Sequence, residues 1–396
     1  MSLPLSGLRV LDLGSVVFAP YCSQWLADLG ADVVKIEAPE GDSTRLTGPA
    51  LERGMSALFL GCNRSKRGIV LDLKQEEGRG ALMRLVEGAD VLLHSIRPQK
   101  LARLGLASDA LLARNPRLIV ANLLGFGSDG PYAGLPAYDD VIQGMSGIAD
   151  LMARKTGEAQ YLPTIMADKV SGLTAAVAIL AAVVRRAETG LGGVVEVPMF
   201  ETLVAFNMVE HLYGHQFVPP LGPLGYPRAM APWRRPMATA DGHLCLMPYT
   251  NGHWRGFFEA AGAAQHLDDP RFADIGTRTE NIAALYEIVG ALVAARSTAW
   301  WLEALEAAQV PCAPMIQLEA LADDAHLVAT GFFVDVETPA GLLRYPGVPV
   351  KFDGERPPVG APPHLGEHTR AVLMEAGFSE QDVAALLASR AARSAG

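Results

Sequence analysis

The chain has 396 residues, half of them apolar, with 43 acidic against 33 basic side chains and a formal net charge of −10. That length allows two or three domains, because single cores stop growing near ~250–300 residues, and the modest charge content argues against a disordered chain. No block of Lys or Arg follows a phosphate backbone, so no nucleic-acid partner is expected, and an anionic ligand needs local basic residues working against the global field.

In chain order, Leu8–Leu13 reads as a buried strand stopped by Gly14, Cys22–Leu29 as a helix ending at Gly30, and Asp32–Glu37 as a second strand. Gly68–Leu73, a helix over Glu76–Glu87, Asp90–His94 and Arg117–Asn122 continue the alternation. Strands alternating with helices of about 10–15 residues imply parallel strands with crossover helices, hence a doubly wound α/β, Rossmann-like domain. A long helical pattern over Val170–Arg185, a strand at Gly193–Val197 and a helix near Met199–His211 complete it. The Pro/Gly-rich passage from Val218 to Pro236 reads as a linker. A smaller α+β unit follows, with a strand at Gly242–Met247 and helices near Trp254–Ala261, Thr279–Ala295 and Ala299–Ala308. A second Pro/Gly-rich passage, Thr338–Pro363, leads to two C-terminal helices. The expected division is a large domain over 1–215, a linker over 216–236, a small domain over 237–330, and a return over 331–396 that completes the large domain.

The first seven residues lack the charged and apolar regions of a signal peptide. The longest apolar helical stretch, Leu173–Val184, falls short of the ~20 residues that span a bilayer. The four cysteines, Cys22, Cys62, Cys245 and Cys312, have neither disulfide nor metal-ligand spacing. A cytoplasmic protein is expected, with no membrane attachment and no metal.

Among the motifs, Gly125-Phe-Gly-Ser-Asp-Gly130 matches the G-x-G-x-x-G string after a strand. The dinucleotide fingerprint requires a helix to open at the third glycine, and Pro131–Pro136 does not form one, so NAD is rejected in favour of a glycine-rich active-site loop. Glu210-His211 and His215 put two histidines one turn apart, but the Glu precedes both, against the zinc-protease pattern. Lys35, Lys66, Arg67, Lys74, Arg97, Lys100 and Arg103 fall mostly at strand ends, where open α/β sheets bind ligands. They read either as a phosphate site or as solvated surface charges. Asp168 precedes the long helical pattern. It reads either as an N-terminal cap or as a carboxylate kept ionised by the helix end and aimed into a site as a nucleophile.

Together these segments resemble the class III (CaiB/BaiF) coenzyme A transferases, whose members include formyl-CoA transferase and a carnitine-pathway transferase. The resemblance runs through Gly7–Leu13, Ala19-Pro20, Leu26–Glu37, Asn63–Lys74, Ala89–Leu93, Arg97-Pro98, Gly125–Tyr132, Tyr138-Asp139, Asp168 with Gly172, and Pro363–Thr369. It implies an interlocked homodimer acting on an acyl-CoA and a carboxylic acid acceptor. No cofactor is held permanently; the coenzyme A thioester is the substrate. Asp168 is then the nucleophile, passing through a mixed anhydride and an aspartyl-CoA thioester. Coenzyme A contacts carried across by motif position are Val16, Val17, Phe18, Leu71, Lys74, Ser95, Ile96, Arg97, Arg103, Tyr138 and Asp139. Backbone N–H groups of Gly125–Gly134, or of another glycine loop, are candidate oxyanion donors. Ala38, where formyl-CoA transferase has an arginine, Ser95-Ile96 in place of Asn-Phe, and the missing glycine-run loop disfavour formyl-CoA and oxalate. The expected acceptor is a short carboxylic acid, dicarboxylates included, with Arg228, Arg234 and Arg235 as candidate partners for a second carboxylate. Two alternatives stand beside this: an α-methylacyl-CoA racemase, whose histidine is replaced here by Tyr138, and a non-catalytic coenzyme A-binding protein.

Overall fold

The structure is a computed structural model that describes residues 2–395. Its larger unit is built on a seven-stranded sheet. Six strands are parallel: β1 (Arg9–Asp12), β2 (Asp32–Glu37), β3 (Arg67–Leu71), β4 (Val91–His94), β5 (Ile119–Leu124) and β6 (Gly193–Pro198). A two-residue strand, Ala392–Arg393, pairs antiparallel with β3 at one edge. In space the parallel strands run β3-β2-β1-β4-β5-β6. The chain therefore winds outward from β1 in one direction, then restarts on its other side at β4. That reversal is the topological switch point, and ligands of such sheets bind outside the strand ends there.

The central strands β1, β4 and β5 are buried along nearly their whole length, as strands covered on both faces must be. One apolar layer joins Leu11, Val34, Ile69, Leu92 and Val120 of the sheet to Leu82, Leu85 and Val86 of the Glu76–Glu87 helix and to Leu373, Val383 and Leu386 near the C-terminus. The C-terminal return thus completes the core of the larger unit. On the other face, helix α1 (Phe18–Asp28) packs along the long helix that carries Asp168. That helix spans Met166–Thr189, 24 residues rather than the 16 expected from the apolar pattern. It is long and apolar enough to cross a bilayer by length and composition, contrary to the expectation from Leu173–Val184. Its small residues Ala167, Gly172, Ala175 and Ala176 are buried against neighbouring backbone. A Cβ at Gly172 would lie 3.0 Å from the Phe18 carbonyl oxygen and 3.1 Å from Tyr21 Cδ1, so a larger residue would push the two helices apart by a few tenths of an ångström.

The chain divides into two compact units, and the division differs from the sequence expectation at three places. Residues 147–161 and 206–215 join the smaller unit, and 325–330 join the larger. The first shift has a visible cause. Lys155, near the end of the helix Ile148–Thr156, donates to the carbonyls of Ala229 and Arg234 at 3.3 and 3.0 Å, both in the smaller unit. After the chain returns, an antiparallel hairpin, Phe333–Thr338 with Gly341–Pro346, occupies part of the stretch read as a second linker. Arg64 holds it to the larger unit, donating to Pro346 O at 2.5 Å while pairing with Asp28. The smaller unit has its own core of Trp254, Phe257, Phe258, Leu285, Val289 and Trp301 beside a three-stranded antiparallel sheet. An α/β large unit and an α+β small one were both expected.

Candidate active site

Two cavities open in the larger unit at the carboxyl ends of its parallel strands. One, of about 250 Å³, holds Asp168 and is lined by Ser15, Val16 and Phe18 after β1, Ser95 and Arg97 after β4, Gly125 after β5, and Tyr138. The other, of about 370 Å³, is lined by Gly14 and Ser15, by Ala38–Ser43 after β2, by Leu71–Lys74 after β3, and by Ile96, Lys100 and Leu104. Ser15 borders both, so the loop after β1 stands between them at the switch point.

Asp168 is the third residue of its helix, whose N-cap position belongs to Ile165 with no side-chain cap. The cap reading of Asp168 is therefore corrected. The capping carboxylate comes from elsewhere in the chain. Helix α2 (Asp139–Met145) begins with Asp139, whose Oδ1 accepts from the N–H groups of Ala167 at 2.6 Å and Asp168 at 3.2 Å. Gln143, one turn on, donates Nε2 to Asp139 Oδ2 at 2.6 Å and accepts from the Leu162 N–H at 2.9 Å. This bracket fixes the start of the Asp168 helix against α2. Tyr138-Asp139 was recognised as a pair, but the side chains face different tasks: Tyr138 is largely exposed at the cavity mouth, and Asp139 is buried beneath it.

Asp168 as a residue is 7% exposed. Burial, reinforced by the like charge of Asp139, pushes its pKa up to about 7. The helix end does not hold it fully ionised, against the sequence expectation. Near neutral pH the protonated and ionised forms coexist.

The loop after β1 is anchored by a buried charge network. Asp12 accepts from Gly14 N at 2.7 Å, Ser23 Oγ at 2.6 Å and Lys66 Nζ at 3.1 Å. Lys66 also donates to Pro20 O and Asn63 Oδ1 at 2.9 and 2.8 Å. Lys35 Nζ bonds Gly14 O and Asp42 Oδ2, each at 3.0 Å, and Asp42 Oδ1 accepts from the Thr44 and Val16 N–H groups at 3.0 and 3.3 Å. Burial pushes the Asp12 carboxyl up, but Lys66, Lys35 and its two hydrogen bonds outweigh burial and hold it below the usual carboxylate range. The network holds Val16 at φ +68°, a left-handed conformation that a β-branched residue avoids. No pattern in the sequence marks that strain, because the bond that fixes it, from the Val16 N–H to Asp42 Oδ1, joins residues 26 apart.

The structure sorts the candidate residues. Val16, Phe18, Ser95, Arg97, Tyr138 and Asp168 line one cavity, and Leu71, Lys74 and Ile96 line the other. Val17 is buried at the N-cap of α1, and Arg103 is exposed at the end of the helix Pro98–Arg103 and lines neither. The basic strand-end residues divide likewise. Lys35 and Lys66 are fully buried in ion pairs, and Arg67 pairs with Asp32 and Glu375, so only Lys74, Lys100 and Arg97 face the cavities. The glycine loop also changes meaning. The N–H groups of Gly127 and Ser128 are taken by Glu201 and Glu196, each at 2.9 Å, so these two are committed to carboxylates. Asp42, Gln143 and Met199 were not anticipated; the spacing of Gln143 one turn after Asp139 was the one available signal. Among the described residues no group of three or more His, Cys, Asp or Glu is arranged to hold a metal.

The chain is similar to known proteins over nearly its whole length. Residues 5–369 match the family described as CoA-transferase family III. The succinate–glutarate CoA-transferase of Agrobacterium fabrum is 33% identical over 391 residues, covering 94% of this chain and 95% of its own. The succinyl-CoA:mesaconate CoA-transferase of Haloarcula hispanica is 31% identical, with 94% and 96% coverage. A crystal structure of a CaiB/BaiF family protein from Brucella suis superposes with a TM-score of 0.79 at 32% identity, covering 95% of this chain and all of that one. The chain belongs to CoA-transferase family III and is a coenzyme A transferase.

Proposed function

We propose that the protein moves coenzyme A from an acyl-CoA thioester to a small dicarboxylic acid through covalent catalysis at Asp168. The observation that carries this is a carboxyl recessed in a cavity at the switch point of the sheet, beside a second cavity large enough for a nucleotide tail. An Asp168 oxygen attacks the thioester carbonyl; the C–S bond breaks, the thiolate leaves, and a mixed anhydride remains. The thiolate then attacks the Asp168 acyl carbon, expelling the donor acid and forming an aspartyl-CoA thioester. The acceptor carboxylate displaces the thiolate in turn, and the thiolate attacks the acceptor carbonyl, giving the new acyl-CoA and free Asp168. The ionised residue consumes no net proton, so positioning and partial desolvation suffice, with effective molarity worth up to ~7–11 kcal/mol.

The coenzyme A contacts follow the two cavities. Lys74 and Lys100 face the larger one, and Leu71, Ile96 and Leu104 supply apolar surface for the nucleotide end. Val16, Phe18, Ser95 and Tyr138 surround the thioester end. Val17 is the buried N-cap of α1, Asp139 positions the Asp168 helix, and Arg103 is exposed at the end of its helix. Dicarboxylate specificity rests on the succinate, glutarate and mesaconate named for the relatives, and on Arg97, the single basic side chain among the described residues lining the Asp168 cavity. Arg97 replaces Arg228 in this role, since Arg228 is buried in the smaller unit. No histidine lines the Asp168 cavity among the described residues, which disfavours the racemase reading.

The homodimer belongs to the same proposal. Leu173, Val177 and Val184 form an exposed apolar stripe along the Asp168 helix. A stripe of this extent reads as an interface. The cytoplasm is the proposed location, supported by four unbridged cysteines. Incubation with succinyl-CoA followed by hydroxylamine should convert Asp168 to a hydroxamate visible by peptide mass spectrometry. A chain that exchanges coenzyme A yet never carries the adduct would overturn the covalent route.

A further inference from the structure

The smaller unit holds two buried arginines with no carboxylate partner. Arg228 and Arg278 are 1% and 2% exposed. Arg278 donates to Phe272 O at 2.8 Å and Asn251 Oδ1 at 2.6 Å, while its Nε has no partner. Arg228 reaches the Tyr286 hydroxyl at 3.5 Å and lies 5.5 Å from the Tyr249 ring, leaving Nε and Nη1 unpartnered. Trp254, 3% exposed, adds an unpartnered indole N–H. Of the ten buried polar atoms without a partner among the described residues, four are donors on these three side chains. Arg278 and Trp254 line one cavity of about 130 Å³ together with Asn251, Arg255 and His266, and its remaining walls are apolar. No Asp or Glu lines it. The volume is well above the roughly 10–15 Å³ that one water requires.

Buried charges are ordinarily paired, because an isolated one forfeits its hydration with nothing in return. Here two guanidiniums lie close enough that, after burial, the charge of Arg228 is the largest influence lowering the pKa of Arg278. Asp274 is the one carboxylate that counters this among the described influences on Arg278, and it also caps its own helix through the Thr277 N–H at 2.9 Å. Arg278, Trp254 and Asn251 line this one cavity, and a planar guanidinium matches the geometry that carboxylates and phosphates accept.

We propose that this cavity is a binding site for one small oxyanion, a carboxylate or a phosphate, held by Arg278 and Trp254 and neutralising the Arg228–Arg278 pair. It is assembled entirely within the smaller unit and does not depend on Asp168. Calorimetric titration of the full chain with inorganic phosphate and, separately, with succinate tests it, in chloride buffer at constant ionic strength. In an Arg97→Met background, which removes the dicarboxylate contact proposed for the Asp168 cavity, one saturable site per chain is expected, retained on adding Asp168→Asn and weakened at least tenfold on adding Arg278→Met. Saturation by phosphate alone assigns the site to phosphate-bearing ligands, by succinate alone to organic acids, and by both to oxyanions generally. Removing an uncompensated buried charge should also leave Arg278→Met at least as thermally stable as the parent in chloride, with Arg228→Met as a second variant. Titration by neither anion, or binding that survives unchanged in Arg278→Met, would overturn the proposal. So would loss of stability in both methionine variants.

Discussion

Two buried acidic centres face the same loop after β1 and are treated in opposite ways. Beneath the loop, Asp12 and Asp42 are each matched by a lysine and by backbone or hydroxyl donors, and both carboxyls lie below their usual range despite burial. Across the cavity, Asp168 has another carboxylate for a neighbour and is pushed up to about 7. The compensated centre spends its charges on geometry, holding Val16 in a conformation it would not otherwise adopt. The uncompensated centre keeps a group whose protonation state is still undecided near neutral pH. Such contrasts separate supporting charges from reacting ones, because only the latter need a titration near the working pH. The unpaired guanidiniums of the smaller unit fall on the uncompensated side of that division.

The contrast can be broken most severely at Asp168. Asp168→Asn should lower kcat for coenzyme A exchange by at least ~10⁴-fold, a part of the ~7–11 kcal/mol that a positioned nucleophile supplies. Exchange within tenfold of the parent would remove the residue from the chemistry. In the network the loss should be structural. Lys66→Met strands Asp12 as a buried unpaired carboxylate, and urea denaturation should show about 3–5 kcal/mol less stability.

Stability against pH distinguishes the two centres again. Because the folded pKa of Asp168 is raised from 3.8 to about 7, the native state binds more protons across that window. Its contribution to stability therefore falls as pH rises from about 4 to about 7, and above 7 the full penalty is present. Asp168→Asn should gain roughly 2–4 kcal/mol over the parent at pH 8, with the gap closing toward pH 4, in parallel denaturant titrations. For Asp12 the folded pKa is depressed, so its stabilisation is present at neutral pH and is lost only in acid.

Asp139→Asn sharpens the comparison on the catalytic side. It removes the like charge while leaving an amide oxygen to accept from Ala167 and Asp168. The acid limb of kcat/KM should move below pH 7 but remain above 3.8, since burial persists. A limb that stays in place would mean Asp139 acts on the helix end alone. The smallest effect is expected at Val16→Gly, which relieves a strain of about 1–3 kcal/mol against a glycine penalty of about 0.5–1 kcal/mol. Thermal stability should hold or rise slightly while KM for acyl-CoA increases several-fold; an unchanged KM would show that the strained loop is not a positioning device.

Much of this was legible in the residues. The alternation of strands and helices announced the α/β unit, and the motif series pointed to Asp168, Tyr138 and strand-end loops that line one cavity. What escaped was the assignment of roles among the candidates. Lys35 and Lys66 look like phosphate ligands by position, yet each faces a carboxylate from another segment, 7 residues away for Lys35 and 54 for Lys66. Asp168 looks like a cap, yet the cap is Asp139, 29 residues earlier. The hairpin Phe333–Pro346 hid inside a proline-rich passage because its pairing depends on cross-strand contacts rather than on composition.

By itself, then, the sequence determined the architecture of the larger unit and the chemistry available to it, because backbone period and residue type are local properties. Whether a given charge is matched or left bare was decided only by the tertiary structure. A carboxylate costs little in water and much in the interior, and which partner meets it depends on segments that folding alone brings together. Asp12 and Asp168 are the same residue type, and what separates a carboxyl held below its usual range from one pushed up to about 7 is that one meets a lysine and the other meets Asp139.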